Sequence, residues 1–305
     1  MQRPRVRAAD GSGELAVPAY ESARATGKSA VSRRFVTMTE TAVADLLAAD
    51  LSRLNLVAVM VDGVHVAESC CALALGIDIA GTKHPLATVE GSTENAALVT
   101  ELCVGLRERG LDVTQPVLVV LDGSKALRRA VLDVFDHPVL ARCQLHKVRN
   151  VKDHLPQRMR LTVQRRMRAA SHAGSALEAE AALTALAREL DKTHPSAANS
   201  LREGLTETLT VLALDVPPTL ARTLRSTNAI ESMIGICRDR SKNVKRWRDG
   251  QMALRWCAAG MLEARGQFRR VNGHLHLPAL RATLERHVAE QTVGAVRHDE
   301  SVNVA

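Results

Sequence analysis

Two short aliphatic runs, each followed at once by Asp-Gly, constrain the fold of this chain more than any other feature. The first is Val117 to Leu121, preceded by a proline and followed by Asp122-Gly123. The second, residues 57–63, has the sequence VAVMVDG. A continuous aliphatic run of this length predicts a central strand that is buried on both faces of a sheet. The chain is therefore predicted to contain a sheet whose central strands end on carboxylates.

The patterns around these runs predict a mixed α/β sheet with helices on its faces. Three closely spaced apolar runs indicate an antiparallel meander of three strands, at 56–62, 70–80 and 84–90. Alternating elements follow, predicted as a helix at 93–110, a strand at 117–122, a helix at 124–135 and a strand at 138–141. A helix at 37–54, capped by Thr39 or Thr41, precedes the sheet. Helical patterns also occupy 147–223, with breaks at Gly174 and Pro195, and 226–265, with a break near Asp249.

Composition narrows the functional classes. The 305 residues carry 41 Lys and Arg against 33 Asp and Glu, a net charge of +8 that favours an anionic partner such as nucleic acid. Six cysteines, two of them adjacent, do not suggest a disulfide framework and suit a reducing compartment. The N-terminus lacks the apolar segment of a signal peptide, and no run is long enough to span a membrane. We therefore expect a soluble intracellular protein, with residues 1–30 poorly ordered.

Asp62 and Asp122 lie 60 residues apart, each predicted at the carboxyl end of a strand. If the strands are neighbours, both carboxylates emerge at one sheet edge, where α/β proteins place their sites. Two nearby carboxylates repel unless a cation lies between them, and Mg²⁺ or Mn²⁺ is the usual solution. The alternative is that each Asp-Gly is only a turn.

Glu231, in the segment RSTNAIESMIGICRDR, is a candidate for a third carboxylate. Thr227 and Asn228 resemble a helix N-cap, which places Glu231 in the first turn beside an apolar stripe. The alternative is that this glutamate merely favours the helix dipole or completes a capping box.

Cys143 and His146 form a C-x-x-H pair in RCQLHKVRNV. Such a pair is compatible with zinc, but zinc needs four ligands and no second pair has the required spacing. We therefore interpret Cys143 and His146 as a structural pair at a strand-to-helix junction.

Two strongly basic blocks flank the predicted acidic site. Residues 142–168 contain nine Lys or Arg against one acid, and residues 222–248 contain eight against two. Helix faces in solvent usually mix both signs, so these blocks favour phosphate contacts. Only three Phe, one Tyr and two Trp are present, which disfavours base-stacking platforms. The predicted DNA-binding residues are Arg142, Lys147, Arg149, Arg238, Arg240, Lys242, Lys245 and Arg246.

Taken in order, the two Asp-Gly strand ends, the C-x-x-H-x-x-R-N element and the T-N-x-x-E helix resemble the mutator-type DDE transposases of bacterial insertion sequences. The resemblance extends from about Leu54 to about Leu280. It implies a ribonuclease-H-like fold: a five-stranded mixed sheet with an all-helical insertion between the last strand and the helix that carries the glutamate. The implied core is 55–146 and 224–265, with the insertion at 147–223 and a C-terminal tail at 266–305.

The resemblance also implies a function. Asp62, Asp122 and Glu231 would be the catalytic triad and would hold two Mg²⁺ ions, with Mn²⁺ as a substitute. The implied reaction is cleavage at element ends and joining of 3′-hydroxyls to target DNA. The family further implies a homodimer or higher oligomer on DNA, no membrane partner, and a location in the bacterial cytoplasm, associated with the nucleoid.

The N-terminal part departs from the family pattern. Residues 3–21 and 27–39 resemble the two ends of a helix-turn-helix region whose middle is missing, so 1–54 is predicted to be a truncated DNA-binding region. We therefore expect an intact catalytic core with damaged end recognition. Two alternatives stay open: a catalytically silent DNA-binding remnant that acts at most as an inhibitor, and a ribonuclease-H-like nuclease of another lineage.

Overall fold

The computed structural model describes residues 27–66 and 68–302. Within them the chain forms an α/β structure with one five-stranded mixed sheet and twelve α-helices. The strands are β1 (Leu56–Val66), β2 (Ser69–Asp78), β3 (Lys83–Gly91), β4 (Val117–Leu121) and β5 (Pro138–Arg142). The helices are α1 (Lys28–Ala48), α2 (Ala96–Glu108), α3 (Lys125–Val134), α4 (Gln144–Asp153), α5 (Gln157–Ala170), α6 (Ala176–Asp191), α7 (Pro195–Arg202), α8 (Leu205–Ala213), α9 (Pro218–Leu224), α10 (Asn228–Ser241), α11 (Gly250–Gln267) and α12 (Leu277–Val302).

The sheet has the strand order β3-β2-β1-β4-β5. Strands β1, β2 and β3 form an antiparallel meander, as predicted from their spacing. Strand β4 joins the other edge of β1 in parallel, with Ala58 opposite Leu118 and Met60 opposite Val120. Strand β5 then pairs in parallel with β4 over its whole length. The predicted mixed α/β sheet is confirmed.

Side chains of the central strands alternate between two apolar cores, because successive residues of a strand point to opposite faces. Met60 and Val120 belong to the core that α10, α11 and the start of α12 cover. Val59 and Val119 belong to the core on the other face, beneath α2 and α3. Covering both faces explains why β1 and β4 are continuous aliphatic runs rather than alternating ones.

Helices α4 to α9 lie between β5 and α10 in the chain. Most of them pack around a third core of their own, which includes Leu183, Leu186 and Leu201. Both predicted breaks are present: α5 ends before Gly174, and Pro195 is the first residue of α7, where its missing N–H costs nothing.

The two ends of the described chain differ from expectation. Helix α1 begins at Lys28, so Thr39 and Thr41 are not caps, and their hydroxyls bond carbonyls of the preceding turn. Most of the segment predicted to be poorly ordered, residues 1–26, lies outside the described residues, and the truncation stays a prediction. The predicted C-terminal tail contributes Leu277, Leu280 and Leu284 to the sheet core. In the described ranges, no helix has both the length and the apolar composition needed to cross a membrane.

Candidate active site

The parallel register of β1 and β4 brings Asp62 and Asp122 together. Ala58 pairs with Leu118 and Met60 with Val120, so the same 60-residue offset places Asp62 beside Asp122 one step further on. Because side chains alternate along a strand, both carboxylates continue the row that points toward the face covered by α10. The prediction that these two residues share one sheet edge therefore agrees with the register.

Asp62 does not end its strand, contrary to prediction. Strand β1 continues for four more residues, and Asp62 lies opposite Leu73 of β2. Gly63, predicted as a separator, is thus a strand residue, and the turn interpretation of this Asp-Gly is wrong. It holds only for Asp122, which leaves the sheet into Gly123 at a φ of 108° and accepts a 2.7 Å hydrogen bond from the Ser124 N–H.

The electrostatics of Asp62 are those of a carboxylate surrounded by others. Burial raises the pKa of Asp62 to about 6, and the negative charges of Asp122 and Glu231 raise it further, while the Gly63 N–H and His146 oppose the shift. Repulsion of this kind is relieved when a cation binds between the carboxylates.

Glu231 lies in the first turn of α10, which packs against β1. Thr227 is the N-cap residue, but its hydroxyl does not cap the helix: it donates a 2.7 Å hydrogen bond to Glu231 Oε1. The nearest His146 nitrogen, Nε2, is 3.6 Å from the same oxygen. Glu231 is therefore oriented by its neighbours rather than spent on capping its own helix.

Cys143 connects the sheet to the beginning of α10. Its N–H donates to Leu121 O of β4, at 2.7 Å, and its sulfur accepts hydrogen bonds from the Thr227 N–H and hydroxyl, both at 3.4 Å. Burial favours the thiol, but hydrogen bonds from His146 and Thr227 outweigh it and lower the pKa of Cys143. The hydrogen bond with Cys143 is the main reason that the pKa of His146 is raised. The C-x-x-H pair thus lies against Glu231 in the folded chain.

A fourth carboxylate, Glu94, was not predicted. It lies in the loop before α2, and a side chain at Gly63 would collide with its carboxylate. Burial and the charge of Asp122 raise its pKa, and Ser124 opposes that shift. The only available signal was a glycine directly after Asp62, which leaves room for another group.

The structure corrects the DNA-binding prediction for two basic residues. Arg142 and Lys147 are only 6% and 1% exposed. Arg142 donates to Glu203 O at 2.9 Å and Gly123 O at 3.2 Å, while the Lys147 ammonium bonds the carbonyls of Ser200 and Glu203. Their charged groups are thus bound inside the protein. Burial lowers the pKa of Lys147 to about 8, as does the positive charge of Arg142.

The other six predicted DNA-binding residues are exposed: Arg149, Arg238, Arg240, Lys242, Lys245 and Arg246. Arg149 lies one turn after His146 on α4, and the rest occupy the end of α10 and the loop that follows. That loop begins roughly 15 Å along α10 from Glu231, at 1.5 Å per residue. Trp247 of this loop packs edge-on against Trp256 of α11. Stacking on a base was the less favoured use of Trp247.

Comparison with known proteins connects this site to a family. Residues 35–270 match the family model described as "Transposase, Mutator family". A probable transposase for an insertion sequence element from Corynebacterium diphtheriae is 29% identical over 195 residues, 64% of this chain and 56% of the relative. The transposase for insertion sequence element IST2 from Acidithiobacillus ferrooxidans is 28% identical over 176 residues, 58% of each chain.

A third relative, the transposase for insertion sequence element ISRM5 from Rhizobium meliloti, is 27% identical over 209 residues, 68% of this chain and 52% of the relative. The chain thus spans little more than half the length of these relatives. The matched family segment contains Asp62, Asp122, Glu231 and the C-x-x-H pair, together with every strand of the sheet. The chain belongs to the Mutator family of transposases.

Proposed function

We propose that this chain is the catalytic part of a DDE transposase that cleaves DNA at insertion-sequence ends and joins 3′-hydroxyls to target DNA. The observation that carries the proposal is the row of carboxylates at the β1–β4 edge, where Asp62 keeps its proton up to a pH of about 6 because of burial and of Asp122 and Glu231. Perturbed carboxylates of this kind concentrate at functional sites.

The fold supports the same proposal. An antiparallel meander followed by two parallel strands, in the order β3-β2-β1-β4-β5, is what the ribonuclease-H-like assignment requires. Helices α4 to α9, with their own core, occupy the position of the proposed insertion.

The site fits hard divalent cations. Asp62, Asp122 and Glu231 offer carboxylate oxygens, the ligands that Mg²⁺ and Mn²⁺ prefer, and would hold the ions that the family implies. When bound, these ions would polarise the phosphate and lower the pKa of the attacking water or hydroxyl. The protein's own part is to orient the ligands: the Gly63 N–H fixes Asp62, the Ser124 N–H fixes Asp122, and the Thr227 hydroxyl fixes Glu231.

The exposed cations give DNA a path to this site. Arg149 on α4 and the basic residues from Arg238 to Arg246 lie on the two elements that flank Glu231. Lysine and arginine contacts to phosphates position a duplex without reading its sequence. We propose that they place the cleaved strand over the carboxylates and that the reaction takes place on DNA held by two or more copies of the chain in the bacterial cytoplasm.

A strand-transfer assay tests the proposal. Pre-cleaved element-end DNA and a plasmid target are incubated with Mg²⁺ or Mn²⁺ and wild type, Asp122→Asn, Glu231→Gln or the control Glu189→Gln, which alters an exposed carboxylate paired with Arg166. Joining by wild type and Glu189→Gln alone supports the proposal. Joining that survives in Asp122→Asn overturns the triad. DNA binding without joining in any sample would support the silent-remnant alternative.

A further inference from the structure

The C-x-x-H pair and Glu231 bring three different ligand types to one point. Cys143 Sγ, a ring nitrogen of His146 and a carboxylate oxygen of Glu231 all lie within 4.8 Å of one another. Three separate elements supply them: the residue after β5, the first turn of α4 and the first turn of α10. Cys143 is fully buried, whereas His146 and Glu231 are half-buried and face the site.

We propose that Cys143, His146 and Glu231 form a binding site for a thiophilic divalent cation of the Zn²⁺ type, distinct in chemistry from the Mg²⁺ site. Zinc is bound by Cys at about 2.3 Å and by His or carboxylate at about 2.0–2.1 Å, so tetrahedral ligands lie roughly 3.3–3.6 Å apart. His146 Nε2 and Glu231 Oε1 are already 3.6 Å apart. Closing the remaining separations requires side-chain movements of about 1 Å.

The donor set decides which metal would bind. A thiolate and an imidazole are ligands for Zn²⁺ and related transition metals, while Mg²⁺ takes oxygen ligands. Three protein ligands leave one position open, as in zinc sites that are accessible to solvent or substrate. The Thr227 N–H and hydroxyl donate to the Cys143 sulfur and to Glu231, and hydrogen bonds of this kind orient metal ligands.

The site has a regulatory consequence that rests on the proposed function. Glu231 is the one ligand that both sites share, so a Zn²⁺ ion bound to Cys143 and His146 would draw Glu231 away from Asp62 and Asp122. Zn²⁺ would then inhibit joining even in excess Mg²⁺, because Mg²⁺ does not compete for the sulfur and the imidazole.

Cobalt spectroscopy of the full chain tests the binding directly. Co²⁺ replaces Zn²⁺ in such sites, and coordination by thiolate gives sulfur-to-cobalt charge-transfer absorption. We expect one Co²⁺ per chain with this absorption, unaffected by excess Mg²⁺ and displaced by Zn²⁺. Cys143→Ser should abolish the absorption, while Cys103→Ser, which alters a thiol in the core on the other face of the sheet, should retain it. A wild type without the charge-transfer band overturns the proposal, as does a band that survives in Cys143→Ser.

Two further variants settle the matter if Cys143→Ser fails to fold. His146→Gln and Glu231→Gln alter half-buried ligands, and each should weaken Co²⁺ binding at least tenfold; unchanged affinity in both overturns the proposal. Equimolar Zn²⁺ should lower the joining rate of wild type about tenfold in Mg²⁺ buffer, as 90% occupancy would. Since the spectrum does not require turnover, an absent cobalt band leaves the proposed function intact, and failed joining leaves the cobalt result intact.

Discussion

Two groups of charges meet at the turn after β4, and the protein satisfies them in opposite ways. Arg142 and Lys147 are buried, and their cationic groups bind main-chain carbonyls of Gly123, Ser200 and Glu203. Asp62, Asp122 and Glu231, a few residues away across the same turn, each accept a hydrogen bond, but the charges that act on Asp62 include the other two carboxylates.

The difference distinguishes structural charge from functional charge. A buried cation that is surrounded by carbonyl oxygens has its hydrogen bonds satisfied, and removing it leaves those carbonyls unpaired. A carboxylate that is surrounded by carboxylates destabilises the fold until a cation arrives, so its retention indicates a role outside stability. Substitutions in the two groups should therefore have opposite effects.

The largest effect is expected from Asp122→Asn, on activity alone. Losing one metal ligand should lower the joining rate by roughly 10³-fold or more, since metal binding supplies several kcal/mol of charge stabilisation in the transition state. The isosteric amide keeps the Ser124 N–H partner, so the thermal midpoint should not fall. Single-turnover joining and thermal unfolding measure the two effects. A joining rate within tenfold of wild type would place Asp122 outside the reaction.

Lys147→Met is expected to act on stability alone. The variant leaves the carbonyls of Ser200 and Glu203 without their buried donor, which should cost about 2–4 kcal/mol of unfolding free energy. Urea unfolding measures this cost, with Lys192→Met, at an exposed position, as the control within about 0.5 kcal/mol. DNA affinity per folded molecule should not change. Equal stability of Lys147→Met and wild type would show that the buried cation is not structural.

Asp62→Asn is expected to stabilise the fold, the opposite sign. The pKa of Asp62 is raised from 3.8 to about 6, so the folded state binds the proton more tightly, and this contribution is lost as pH rises through that window. At roughly 1.4 kcal/mol per pKa unit, removing the charge should add about 2–3 kcal/mol above pH 6 and almost nothing near pH 4.

Urea unfolding in metal-free buffer between pH 4 and 8 checks this dependence. Asp112→Asn is the contrasting control, because the Thr114 hydroxyl and N–H lower the pKa of Asp112. That variant should lose stability above pH 4 rather than gain it. A gain for Asp62→Asn that does not change with pH would rule out the repulsion of like charges as its cause.

The sheet was predictable from the sequence because its evidence is local. Uninterrupted aliphatic runs identify strands that are buried on both faces, and their spacing identifies the meander. The shared edge of Asp62 and Asp122 also followed, since both residues stand at equivalent points of neighbouring runs. The end of β1 was misplaced because Asp-Gly usually marks a turn, whereas here pairing with β2 continues the strand through Gly63.

What was missed depends on contacts between distant segments. Nothing in the segment around Glu94 indicates that its carboxylate lies over Gly63. The burial of Arg142 and Lys147 depends on carbonyls some 50 to 60 residues later, so the basic block appeared uniform although two of its members face inward. Charge counts locate a basic segment, but only packing decides which members reach solvent.

The smallest predicted effect concerns a cation that does reach solvent. Arg246, in the exposed loop after α10, should contact one phosphate, so Arg246→Gln should lower the slope of log affinity against log salt by about 0.9. The change should be the same for specific and nonspecific DNA, because phosphate contacts carry no sequence information. Arg129→Gln, which breaks an exposed pair with Asp133 on α3, is the matched control and should leave the slope unchanged. Fluorescence anisotropy at several salt concentrations measures both. Equal slopes for Arg246→Gln and wild type would exclude the loop from the DNA path and leave Arg149 as the predicted contact nearest the carboxylates.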